Sequence, residues 1–265
     1  MNTRNWEKPK KVNNGKIAAL RWLPMLAAIA VCGISWQAAA AFAGLPAFIL
    51  PGPVVVLDRF LSVLRDGSLV RHTLFTLGEV LSGMALGVGS AALLGYLLSK
   101  SRLAERILAP YIVATQAIPV VAVAPLLFIW LGGGFATKVL ICALIVFFPV
   151  LVNTVVGLRS VSANLRELMR SLGATRWQHF RHLELPAALP ILLGGLKIGA
   201  TLSVIGAVVG EFIAPDRGLG FLISIARGRY DTALVFVGVF VLVAMAVFLY
   251  ALVAWAESRF LRWRE

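Results

Sequence analysis

The chain has 265 residues, of which 60% are hydrophobic and only 14% charged. A soluble globular chain carries about 25% charged residues, so a water-soluble enzyme is excluded and an all-α integral membrane bundle is expected. The net charge of +13 does not require a nucleic-acid partner, because the basic residues sit in short segments beside apolar runs.

Residues 1–21 read as a basic tail, and Pro9, Asn13, Asn14 and Gly15 argue against stable structure there. Residues 22–43 form a first span, long enough at about 1.5 Å per residue to cross a hydrocarbon core of about 30 Å. The run Ala38 to Ala43 has the small residues of a signal-peptidase site. Its apolar stretch is longer than an h-region, so an uncleaved span is expected. Residues 44–71 form an outer connector, opening on the turn cluster Leu50-Pro51-Gly52-Pro53. Val56, Phe60, Val63 and Leu64 then predict an amphipathic helix.

Residues 72–260 form the core. In the second span, 73–98, Gly83, Gly87, Ala91 and Gly95 recur every four residues. A smooth face of this kind lets a neighbouring backbone approach closely in lipid. The third span, 108–131, carries Pro119 and Pro125, with Gln116 one turn ahead. Such breaks are tolerated in lipid where protein or a water cavity satisfies the freed carbonyls, so a packing kink and a pathway lining both fit. Gly132-Gly133-Gly134 is a tight turn without the Lys-Ser/Thr of a phosphate loop. The fourth span, 136–156, carries Pro149 and Asn153.

Residues 159–187 hold the longest polar run between apolar stretches. Asn164 and Glu167 have capping-box spacing. Leu165, Leu168, Met169 and Leu172 fall at i, i+3, i+4 and i+7 and form one stripe, with Arg166, Glu167, Arg170 and Ser171 opposite. Gly173 ends that helix in a left-handed cap. Thr175 with Gln178 opens a second short helix bearing Trp177, Phe180 and Leu183, and Pro186 is expected to stop it. On chemistry alone the hairpin either lies on the lipid surface or docks on another protein.

The fifth span, 188–211, has a second small-residue stripe at Gly195, Gly199, Ser203 and Ala207. Thr201, Ser203 and Glu211 join Gln116, Pro119 and Pro125 as candidate translocation-pathway residues. Residues 215–231 form an outer loop with Gly218-Leu219-Gly220 and a short apolar piece. Residues 232–256 are the sixth span, and 261–265 a basic tail. With the N-terminus inside, 17 Lys and Arg fall on the inner side and 6 on the outer. This favours both termini and the 159–187 loop inside.

There is no Walker A run, so the chain is not expected to bind ATP or act as an enzyme. No catalytic residue and no metal site are expected. His179 and His182 lack a third ligand nearby, and Cys32 and Cys142 read as packing residues. Glu79 lies within a span, where charge is costly and needs a neighbouring partner. Structural pairing and substrate contact both remain open for Glu79 and Glu211. Lys197 is expected to snorkel to the inner face.

The loop resembles the EAA loop of ABC-importer permeases. Glu167-Leu168-Met169 is followed by three residues, Gly173, nine residues, Leu183, one residue and Leu185-Pro186. Leu168 and Met169 replace the two alanines and Leu183 replaces isoleucine, with no change in spacing. Further matches at Leu50-Pro51-Gly52-Pro53, Ile118-Pro119, Trp130-Leu131-Gly132-Gly133-Gly134, Phe148-Pro149 and Glu211 through Gly220 resemble the nitrate/sulfonate/taurine group over roughly residues 45–260.

That resemblance implies a type I importer fold of six transmembrane helices in the bacterial cytoplasmic membrane. It implies a permease homodimer, two copies of a cytoplasmic ABC ATPase carrying ATP and Mg2+, and an extracytoplasmic substrate-binding protein. It implies ATPase coupling through Glu167, Leu168, Met169, Leu172, Gly173, Ala174, Trp177, Phe180, Leu185 and Pro186. The substrate it implies is an aliphatic sulfonate, taurine or nitrate. The surroundings of Glu211 and of Arg229-Tyr230-Asp231 are similar to members carrying a pyrimidine thiamine precursor or riboflavin-like heterocycle. A secondary transporter or a membrane scaffold without ATPase stands as the alternative class.

Overall fold

A computed structural model describes residues 14–42, 44, 46 and 48–261, and every regular element among them is helical. The expectations for residues 1–13 and 262–265 lie outside the described residues. Helix α1 (Asn14–Phe42) begins inside the stretch assigned to the tail. Once a long helix is nucleated, extending it over a weak residue costs little. Helix α2 (Pro53–Arg65) places proline in its first turn, buries Val56 and Val63, and is the amphipathic connector helix expected there.

Four helical stretches are long and apolar enough to cross a membrane. They are α3 (Ser68–Lys100), α6 (Phe135–Arg159), a continuous rod over Arg176–Ile213 that includes α9 (Leu185–Ile213), and α11 (Thr232–Phe260). The third stretch of the sequence reading is two pieces, α4 (Arg102–Gln116) and α5 (Val120–Leu131), of 15 and 12 residues. Neither spans alone. The joint falls at Ala117-Ile118-Pro119, because the residue before a proline is pushed out of the helical region. Pro125 sits inside α5 without interrupting it. The segment after α9 is not merely a loop: Leu219–Gly228 forms α10, with Leu219, Leu222, Ile223 and Ala226 buried.

Helix α6 is the centre of the packing, held between α3 and α9. A Cβ at Gly87 would stand 2.7 Å from the Ala143 carbonyl oxygen, and one at Gly95 would stand 2.7 Å from the Thr154 Cβ. Gly83 meets Cys142 and Val139 on the same face. From the other side, a Cβ at Gly195 would stand 2.8 Å from the Asn153 Cβ, and Gly199 faces Val146. Gly206, outside the four-residue stripe, comes as close: its Cβ would lie 2.8 Å from the Cys142 Cα. Lipid supplies no hydrophobic drive between helices, so this close backbone approach supplies dispersion contact instead. Cys142 is buried in the seam, while Cys32 is exposed.

Ion pairs tie α11 to both α2 and α9. Arg59 of α2 meets Asp231, the N-cap of α11, at 2.8 Å. Lys197 of α9 pairs with Glu257 of α11 rather than simply snorkelling to water.

Candidate functional site

The hairpin between α6 and α9 is built from its caps. Helix α7 (Ala163–Ser171) starts two residues earlier than the sequence suggests. Ser162, in extended conformation, accepts the Leu165 N–H at 3.4 Å, and Asn164 lies already inside the helix. At the other end Gly173 takes φ +68°, Ala174 N–H donates to the Met169 carbonyl at 3.0 Å and Gly173 N–H to Arg170 at 2.9 Å. Those two bonds make a Schellman cap, which needs a residue free to adopt positive φ. Helix α8 (Arg176–His179) opens on the expected capping box. Thr175 N–H donates to Gln178 Oε1 at 2.8 Å, and Gln178 N–H donates to Thr175 Oγ1 at 3.3 Å. Thr175→Ala removes the Oγ1 acceptor of the Gln178 N–H while leaving the backbone N–H that donates to Gln178 Oε1, and costs the elbow about 1 kcal/mol; faster amide exchange at Gln178 is the expected readout.

Pro186 does not end the second helix. A π-helical turn, Phe180–Glu184, follows α8, and the Leu185 N–H donates to the Phe180 carbonyl five residues back. The wider turn then delivers Pro186, which has no N–H, into the first turn of α9. The hairpin's second helix and the membrane helix are therefore one rod.

The hairpin has two unlike faces. Leu165, Leu168, Leu172 and Trp177 are 48%, 54%, 72% and 64% exposed, so the apolar stripe stays largely open, with Trp177 resting on Phe180 of its own hairpin at 5.7 Å. Met169 and Ala174 are half-buried, and Glu167 is exposed. Phe180 turns inward, edge-on to Tyr96 of α3 at 5.3 Å. Lys100 at the end of α3 grips both carboxylate oxygens of Glu184 at 2.7 and 2.8 Å. Glu184 passed in the sequence as a spacer in Leu-Glu-Leu-Pro. Its only signal was a carboxylate beside an otherwise basic segment.

A second polar site lies some 21 residues earlier on α3, about 30 Å away along the helix. Lys138 of α6 and Glu79 of α3 have no exposed side-chain surface and stand 3.4 Å apart. This supplies the neighbour that Glu79 demanded. Lys138 also pairs with Asp216. Burial alone would raise the Asp216 carboxyl, but the hydrogen bond and charge of Lys138 hold it below its ordinary value.

Glu211 is fully buried and accepts from Thr76 Oγ1 at 2.6 Å and from the Gly220 N–H. Thr76 in turn accepts the Leu219 N–H at 2.8 Å, and His72 Nδ1 accepts the Gly218 N–H at 3.1 Å. Gly218, at φ +106°, lies against the Glu211 carboxylate where any Cβ would collide with it. The Gly218-Leu219-Gly220 loop thus wraps a carboxylate and locks α3, α9 and α10 together.

The candidate pathway residues are not gathered at one point. Ser203 is buried and donates to the Ala200 carbonyl, while Thr201 donates to Ile198. Pro119 and Pro125 are exposed. The Gln116 side chain lies outside the described residues.

A polar hairpin carrying an uncovered apolar stripe, fused to a close-packed helical membrane core, is matched by comparison with known proteins. Residues 83–262 match the family described as binding-protein-dependent transport system inner membrane component. The chain belongs to this family. Its members are the membrane components of ABC transporters, in which a separate ATPase hydrolyses ATP.

The permease is 49% identical over 230 residues to the riboflavin transport system permease protein RibX of Chloroflexus aurantiacus, covering 87% of this chain and 86% of that one. It is 34% identical to the formylaminopyrimidine transport permease protein ThiX of Halalkalibacterium halodurans, covering 88% of this chain and 92% of the relative. It is 32% identical to the putative aliphatic sulfonates transport permease protein SsuC of Bacillus subtilis, covering 92% and 88%. A crystal structure of an amino acid ABC transporter with histidines shares the fold at a TM-score of 0.60 and 20% identity, covering 76% of this chain and 98% of that one.

Proposed function

We propose that this permease is one half of a homodimeric ATP-driven importer, with six spans per subunit and both termini on the ATPase side. The six spans are α1, α3, the broken pair α4–α5, α6, the rod ending in α9, and α11. The count of 17 basic residues against 6 supports the orientation. The bacterial cytoplasmic membrane is the corresponding location, with an extracytoplasmic binding protein delivering substrate.

The observation that carries the reading is the hairpin. Both its helices are capped, its apolar stripe is uncovered, and its second helix runs without a break into a 38-residue rod. ATP-driven closure of two ATPases moves the stripe formed by Leu165, Leu168, Leu172 and Trp177. The rod carries that motion to α9, and the Lys100–Glu184 and Tyr96–Phe180 contacts carry it to α3. Gly173 fixes the angle between the two short helices. ATP and Mg2+ belong to the partner. The test is co-purification with the co-expressed ATPase: wild type retains it, and a normally inserted Trp177→Asp loses it. Retention by that variant would remove the docking role.

For the substrate, a riboflavin-like or pyrimidine heterocycle now stands ahead of a sulfonate, taurine or nitrate. The identity of 49% to the riboflavin permease, against 32% to the sulfonate permease, supports this order. Uptake of labelled riboflavin that needs this permease, and that excess alkanesulfonate does not compete away, is the expected result. The reverse pattern of competition would restore the sulfonate reading.

A further inference from the structure

The inner side of the hairpin, opposite the uncovered stripe, is strongly basic. Two adjoining cavities of about 410 and 590 Å³ lie between α7–α8 and the end of α3, and they share Ser99, Arg166 and Arg170. Arg176 and His179 line the larger one. Both volumes fall within the range of about 300–1,000 Å³ usual for small-molecule sites.

The charge there is unbalanced. Glu184 is taken up by Lys100. Among the described residues, Arg166, Arg170 and Arg176 form no ion pair with a carboxylate. Arg166 gives one Nη2 hydrogen bond to the Leu158 carbonyl at 3.0 Å, while its Nε and the His179 Nδ1 are buried without a hydrogen bond among the described residues. The linings of the two cavities carry Lys100, Arg159, Arg166, Arg170 and Arg176 against two carboxylates, Glu184, which Lys100 holds, and the exposed Glu167, and this positive excess matches an anion with several acceptor oxygens. The height is also informative. The cavities sit where the 33-residue α3 and 25-residue α6 end, at Lys100 and Arg159, and both helices, at about 50 and 38 Å, outreach a hydrocarbon core of about 30 Å, so their ends fall in or beyond the headgroup zone.

We propose that this cavity binds a phosphate group, and that the group is the headgroup phosphate of an anionic phospholipid. Basic pockets between membrane helices at this level are suited to such headgroups. The lipid would clamp the hairpin to α3 and α6 from behind, leaving the outer stripe free. The proposal goes beyond the importer reading and does not depend on ATPase docking.

The test uses the full chain, purified in detergent and stripped of lipid, and follows its thermal unfolding midpoint. Three probes are titrated: short-chain phosphatidylglycerol, short-chain phosphatidylcholine and inorganic phosphate. Phosphatidylglycerol raises the midpoint saturably, and phosphatidylcholine does not. Arg170→Ala, at an exposed position that folding tolerates, weakens the phosphatidylglycerol effect about fivefold, and Arg170→Ala/Arg176→Ala about 25-fold. Arg227→Ala/Arg229→Ala, on the far side of the fold, leaves it unchanged. Equal stabilisation by inorganic phosphate would keep the phosphate site and overturn the lipid source. Loss of the effect in the far-side control, or its persistence in both cavity variants, would overturn the site, as would no shift with any probe. Abolition of the shift by the partner ATPase would assign the arginines to that protein instead.

Discussion

Lys138→Met lowers the stability of the permease by about 3–5 kcal/mol, the cost typical of removing one member of a buried ion pair. The two carboxylates around Lys138 respond differently. Asp216 keeps 49% of its side-chain surface and can turn to water. Glu79 keeps none and lies beside the buried Glu211, so without Lys138 it is left as a buried carboxylate with no cation. The double variant Lys138→Met/Glu79→Gln therefore recovers much of the loss, since removing both charges is far cheaper than removing one. Tryptophan fluorescence during thermal unfolding in detergent compares both variants with the wild type. An unchanged midpoint for Lys138→Met would show that the pair contributes nothing.

Gly87→Leu separates α3 from α6. Even a lone Cβ at Gly87 would stand 2.7 Å from the Ala143 carbonyl oxygen and 3.1 Å from its Cα, and backbone cannot turn aside as a flexible side chain can. Overpacking of this kind costs about 1–3 kcal/mol, and the lost seam adds to it. Gly89 is the internal control. It lies one residue pair further along the same helix with nothing within 4 Å of an added Cβ. Gly89→Ala gains helix propensity of up to about 1 kcal/mol. Opposite shifts in unfolding midpoint for Gly87→Leu and Gly89→Ala are the expected result. Equal shifts would mean that the α3–α6 contact is not what the small residues serve.

The contrast between those glycines shows what the sequence could reveal. A four-residue spacing marks a helix face, so Gly83, Gly87 and Gly95 were legible as a seam. Spacing does not name the opposing residue, so Cys142, Ala143 and Thr154 were not. Gly206 touches α6 as closely as Gly195, yet it stands out of register and left no periodic trace. Glu79 was legible as a group in need of a partner, but Lys138 is 59 residues away and stood at the edge of its span. Caps followed local rules at Gly173 and Thr175, where the needed atoms lie within five residues of each other. The rules failed at Ser162, because two polar residues two positions apart, Ser162 and Asn164, compete for one helix start. They failed at Pro186 because a π-helical turn is a backbone solution with no side-chain signature.

That turn sets an angular phase. An α-helix advances about 100° per residue, and one residue accommodated in a wider turn shifts everything beyond it by that amount. The azimuth of Trp177 about the rod, relative to the Gly195–Gly199 seam, is therefore fixed by Phe180–Glu184. Relaxing those five residues to ordinary α geometry would swing the hairpin by roughly a quarter turn about the rod without bending it. The rod thus has a torsional setting built into its backbone, at the point where the polar hairpin meets the membrane helix.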